Sequence, residues 1–143
     1  MDYDLELRHA VFAHVARLRD ARGAIPASAL NEGIIFRGER VPIWSHAKGI
    51  FRPAVLRDPG AALSIQTSFN SPYDDQLTDG EGGDRIVYRY RGTDPDHRDN
   101  RAMRRAMELG RPLLYLLGVA PGLYQAIFPC WIVGDDPANL AFS

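Results

Sequence analysis

The chain has 143 residues, 45% hydrophobic and 24% charged, enough for one ordinary buried core but not for two large domains. Its formal net charge of −1 excludes a strongly basic protein that coats nucleic acid by charge alone. The single cysteine, Cys130, excludes a disulfide and a cysteine zinc site, and no apolar run approaches the ~20 residues of a membrane span.

Taken in order, Met1 leads into Asp2 and Asp4 instead of a basic and then apolar leader, so a cytoplasmic protein is expected. Residues 4–21 form the clearest helix, because Leu7, Val11, Val15 and Leu18 recur at spacings of four and three and make one apolar stripe. Gly23 stops it, and "IPASALNEG" reads as a short second helix closed by Gly33. "IIFRGERVPIW" reads as a hairpin turning at Arg37–Gly38. Helix, short helix and hairpin fit either a winged-helix fragment or a helical arm packed on a barrel.

From Gly49 the pattern changes. "ALSIQTSF" (62–69) and "RIVYRYRG" (85–92) alternate with the strand period and flank an acidic, glycine-rich loop. Asp99 or Asn100 is placed to cap a helix that turns Ala102, Met103, Ala106 and Leu109 inward and stops at Gly110. "PLLYLLGV" and "LYQAIFPCWIV" read as two apolar strands joined around Pro121–Gly122. The expected class is α+β: a small, curved β-barrel over residues 49–143 behind a helical N-terminal segment, 1–48.

Two groups of residues carry chemistry. Tyr73 stands beside Asp74 and Asp75 on the acidic loop, and strand alternation puts Tyr88 and Tyr90 on one face, with Arg89 and Arg91 on the other. Two phenol rings can hold a flat ring between them while a carboxylate accepts hydrogen bonds from its amino edge, which suits a flipped-out base. Stacking is worth ~1–3 kcal/mol per base, enough to offset extrusion. One of Tyr88 and Tyr90 then serves the pocket while the other packs the fold. The second group is basic. Of 17 basic residues only Lys48 is lysine, and residues 85–111 carry eight arginines against four acids. Arg98, Arg101, Arg104 and Arg105 gather at the start of the central helix, where free amides also favour phosphate. Arg89, Lys48 and Arg52 extend a basic rim beside His46, while His9 and His14 read as surface residues of the first helix. His97 is open to three roles: general base, phosphate donor or loop residue.

The order of these pieces resembles the SRA domain family. "GIFRPAV", "ALSIQTSFNSPYDD", "YRYRG" and "DNRAMRRAMELGRPLLYLLG" are similar to that family's motifs from about Gly49 to Trp131. The whole chain also looks like the region that precedes an HNH nuclease domain in bacterial restriction endonucleases. The resemblance implies a PUA-type barrel that binds double-stranded DNA and flips a modified base, typically 5-methylcytosine. It implies Tyr73 and Tyr90 as the stacking rings and Asp75 as the edge reader, with Asp74 as fallback because the loop is one residue short. Arg91 stands where a small hydroxyl residue is common, so it reads an oxidised or glucosylated base, or a phosphate. The implied partner is a C-terminal HNH domain, and no cofactor or metal is expected. A phosphorothioate reader and an aromatic-pocket barrel for small molecules or proteins are alternatives. So is a nuclease holding a divalent metal on Asp74, Asp75 and Glu81, although Lys48 lies 26 residues before Asp74 in another segment. The N-terminal segment is left as a second DNA contact or a homodimer surface.

Overall fold

The computed structural model describes residues 2–57, 60–69, 76–80, 83–89, 91–137 and 141–142. Helix α1 (Tyr3–Arg22) follows from its stripe and its caps. The Asp2 carboxylate accepts the Asp4 N–H at 2.8 Å, and Gly23, at φ 75°, donates its own N–H to the Arg19 carbonyl. Leu7, Val11 and Val15 are wholly buried, and Leu18 packs at the margin of the same cluster. Strand β1 (Ile25–Pro26) and the one-turn helix α2 (Ala27–Leu30) come next, then β2 (Ile34–Phe36) and β3 (Glu39–Val41). The last two form the expected hairpin. Its turn residues Arg37 and Gly38 have φ of 52° and 82°, the left-handed pair that matches the twist of a two-residue hairpin.

The rest of the chain supplies β4 (Ile50–Phe51), β5 (Ser64–Thr67), β6 (Gln76–Gly80), β7 (Gly83–Arg89), α3 (Arg98–Leu109), β8 (Leu113–Ala120), β9 (Leu123–Cys130), β10 (Asp135–Asp136) and β11 (Ala141–Phe142). One mixed sheet runs β1-β9-β8-β5-β4, with β5 and β8 parallel and the other pairs antiparallel. A second, antiparallel sheet runs β10-β11-β7-β6. Strand β6 lies in the stretch read from sequence as loop. Its glycine, aspartate and threonine have little strand signal of their own, and pairing with β7 from Gln76–Val87 to Gly80–Gly83 supplies its backbone partners.

Strand β8 is covered on both faces, which is why it reads as a continuous apolar run. Leu114 and Leu116 join the cluster built by α1, β1, the hairpin and Trp44; Leu113 and Tyr115 join the one built by α3, Tyr88 and Phe142. The sheet is thus the middle layer, with α1 and the β2–β3 hairpin on one side and α3 with the second sheet on the other. The class is α+β. Among the described residues both sheets keep distinct edges and no closed barrel forms. Residues 2–48 take the packed-arm arrangement: α1 shares its core with β8 and β9, Phe12 stacks on Phe128 at 5.3 Å, and β1 is itself a strand of the main sheet. Among the described residues before 48, the buried hydrophobic side chains share one cluster with Leu114, Leu116, Tyr124 and Ala126.

One buried ion pair fastens α1 to the sheet. Arg8 is wholly buried and grips Asp4 through two N–H groups, Nε to Oδ1 at 2.5 Å and Nη2 to Oδ2 at 3.2 Å. Its Nη1 donates to the Pro112 carbonyl at 2.7 Å, just ahead of β8, and Nη2 also reaches the Ala61 carbonyl at 3.3 Å. Arg111 approaches the same Asp4 at 3.6 Å and pairs with Asp2. Removing one member leaves a buried charge unmatched, so Asp4→Asn should lower unfolding free energy by ~3–5 kcal/mol in a urea titration.

Candidate nucleic-acid interface

The segments that carry the candidate residues grow from a few tightly tied positions. Tyr88 on β7 is 7% exposed, and its hydroxyl meets two carbonyls, Gln66 at 2.5 Å and Gly49 at 3.0 Å. The hydroxyl fits because residue 49 is glycine: a Cβ there would lie 2.7 Å from it. The Gln66 side chain, 8% exposed, turns its Nε2 to the carbonyls of Ser45, His46 and Lys48 and so holds the whole 45–49 turn. At the far end of β5, Thr67 Oγ1 lies 2.7 Å from the Tyr115 hydroxyl, and Gly118 admits the chain at Ser68–Phe69, where a Cβ would stand 2.5 Å from the Phe69 nitrogen. Tyr88 is a packing residue. Tyr88→Phe should lower stability by ~1–3 kcal/mol in chemical denaturation, because two buried carbonyls lose a shared donor.

Beyond β7, the chain is clamped by Asn100. This side chain is wholly buried; its Oδ1 accepts the Arg91 N–H at 2.7 Å, and its Nδ2 donates to the carbonyls of Arg91 at 3.0 Å and Asp94 at 2.8 Å. Asn100 is therefore not the helix cap, and neither is Asp99. The cap is His97, whose Nδ1 accepts the Asp99 N–H at 3.1 Å. None of the three roles read for His97 from sequence included this one. Accepting at Nδ1 assigns the neutral ring's proton to Nε2, which leaves a donor on a side chain 36% exposed. His97→Ala should cost ~1 kcal/mol of stability and His97→Asn much less, as read by thermal melts, because asparagine is a good N-cap.

The basic residues divide by position. Arg98, Arg101 and Arg105 fall at spacings of three and four on the exposed face of α3, opposite Ala102, Met103 and Ala106. Among the described residues no acidic side chain pairs with Arg98 or Arg101; Arg105 lies 3.7 Å from Glu108. Arg104 instead turns in, pairing with Asp135 at 2.7 Å and reaching the Pro95 carbonyl, so it ties α3 to β10. Arg91 is half exposed, with one contact to Asp99 at 3.2 Å. Arg89 ends β7 opposite Ala141. Lys48 lends its carbonyl to Gln66, and Arg52 has a buried Nη1 with no hydrogen-bond partner. Tyr73, Asp74, Asp75, Glu81 and Tyr90 lie outside the described residues.

Among the described residues, no group of three or more histidine, cysteine, aspartate or glutamate side chains could hold a metal, and no helix is long and apolar enough to cross a membrane. Cys130 is no activated nucleophile, since burial pushes its thiol up to about 11. The anchors Asn100, Gln66 and Gly118 escaped the sequence reading. Asn100 had a competing signal as a cap, and a lone glutamine or a strand glycine shows no partner in sequence. No protein-family model, curated protein or solved structure matches the chain.

Proposed function

We propose that the chain is a binding module for double-stranded DNA that takes a modified base, 5-methylcytosine or a relative of it, between Tyr73 and Tyr90 and reads its edge with Asp75. In this reading the two sheets are the curved, barrel-like scaffold of an SRA-type reader, and strand cleavage belongs to an HNH domain of a longer protein. The observation that carries it is the register of β6 on β7. Gln76 pairs with Val87; Tyr73 stands three residues before Gln76, and Tyr90 three after Val87. The described strand positions that the two tyrosines flank in sequence are therefore hydrogen-bonded neighbours.

The arginine face of α3 supports a backbone contact beside that slot. Tyr90 directly precedes Arg91, which Asn100 binds to the first turn of α3. Arg98 and Arg101 point to solvent from the same turn, where phosphates can meet them without any sequence being read. The −1 net charge fits a module whose acidic and basic segments are kept apart.

The test is fluorescence anisotropy on otherwise identical duplexes bearing cytosine, 5-methylcytosine, 5-hydroxymethylcytosine, N6-methyladenine or a phosphorothioate link. Tyr73→Ala and Tyr90→Ala should each lower affinity for the preferred modified duplex by about tenfold or more, in line with ~1–3 kcal/mol of stacking, and change unmodified binding little. Equal losses on both duplexes would overturn the pocket. Arg98→Ala and Arg101→Ala should weaken all duplexes alike and reduce the slope of log K against log salt by about one each.

A further inference from the structure

Asp99 is the one acidic residue in the first turn of α3. Its carboxylate, 12% exposed, lies 3.2 Å from the Arg91 guanidinium and 3.9 Å from His97 Nδ1, at the positive end of the helix. The two partners are held unequally. Asp99 belongs to the helix turn, with its N–H bound to His97. The Arg91 backbone is gripped on both its N–H and its carbonyl by Asn100, whereas its side chain is 45% exposed and, among the described residues, makes a single long contact through Nη1. A guanidinium has five N–H donors in a fork that matches a phosphate, so most of this one's capacity is unspent. With the Arg91 side of the pair open to solvent, such a pair contributes little.

We infer that Asp99 is an internal stand-in for a DNA phosphate: it holds the Arg91 side chain in the unbound protein and competes with the DNA backbone for it. The inference rests on the DNA-binding reading above. It assigns to Asp99 a restraint on affinity for every duplex, modified or not, exerted through Arg91. The backbone clamp at Asn100 keeps the Arg91 α-carbon in place, so the exchange from carboxylate to phosphate is a side-chain rotation.

A double-mutant cycle on duplex binding tests it, using the full chain with Asp99→Asn, Arg91→Ala and the pair, each measured over a salt series. Asp99→Asn keeps the side chain's shape and removes its charge. It should tighten binding of both modified and unmodified duplexes up to about fivefold, the worth of an exposed ion pair, and steepen the salt dependence. Arg91→Ala should weaken binding, and adding Asp99→Asn to it should change nothing further. Unchanged affinity for Asp99→Asn, or the same gain in the Arg91→Ala background, would overturn the inference while leaving the DNA reading intact; the second result would mean general electrostatics alone. No binding of any duplex by the unmodified chain or by any variant would overturn both. Melting temperatures accompany each variant, and Asp99→Ser, another good first-turn residue, gives the same readout should the asparagine variant fold poorly.

Discussion

The Tyr88 hydroxyl joins the two larger sheets of this protein. It leaves β7 of the second sheet, enters the space that Gly49 keeps open, and donates between a carbonyl of β5 and a carbonyl of the turn before β4. Gln66, whose backbone carbonyl is one of those acceptors, uses its side chain to hold the other end of the same turn. A buried polar group of this kind costs free energy unless every partner is in place, so it specifies one arrangement of the sheets. Strand β7, paired with β6 and β11, is thereby tied to the main sheet.

Arginine serves the fold and the surface in different ways. Arg8 is enclosed and makes four hydrogen bonds, Arg111 backs it, and Arg104 spans from α3 to β10. Arg37 turns back over Tyr3 and Phe36 and pairs with Glu6, so the hairpin tip is held to α1. These contacts use the planar fork that lysine lacks, and they account for part of the arginine excess without nucleic acid. The arginines at 98, 101 and 105 stand apart, on the face of α3 turned away from its buried alanines and methionine. A helix with alanines and a methionine on one side and long cations on the other packs its apolar side close to the sheet and leaves the cations at the surface.

The proposed reader site combines these two features. Asn100 connects them: from inside α3 it holds the chain that leaves β7, which couples the position after Tyr90 to the helix carrying the exposed arginines. A base slot and a phosphate contact need a constant separation to act on one nucleotide, and a wholly buried asparagine with three hydrogen bonds supplies a rigid spacer.

Local elements were legible in the sequence where a period or a turn residue speaks for itself. The stripe of Leu7, Val11 and Val15, the Arg37–Gly38 turn, the inward set of Ala102, Met103 and Ala106, and the β8–β9 pair around Pro121–Gly122 all stand where spacing put them. The candidate chemistry was legible only as residue types: phenols near acids, arginines on a helix. The tertiary structure alone decided that Tyr88 is a buried ring, that His97 and neither Asp99 nor Asn100 caps α3, that Arg8 and Arg104 turn inward, and that β6 is a strand. It also decided that the described strands form two larger open sheets and the β2–β3 hairpin in place of a closed barrel. The reason is the range of the forces involved. Periodicity and turn preference act between residues a few positions apart, whereas a hydrogen bond from Asn100 to Arg91, or from Arg8 to Pro112 across 104 residues, exists only once the chain has folded.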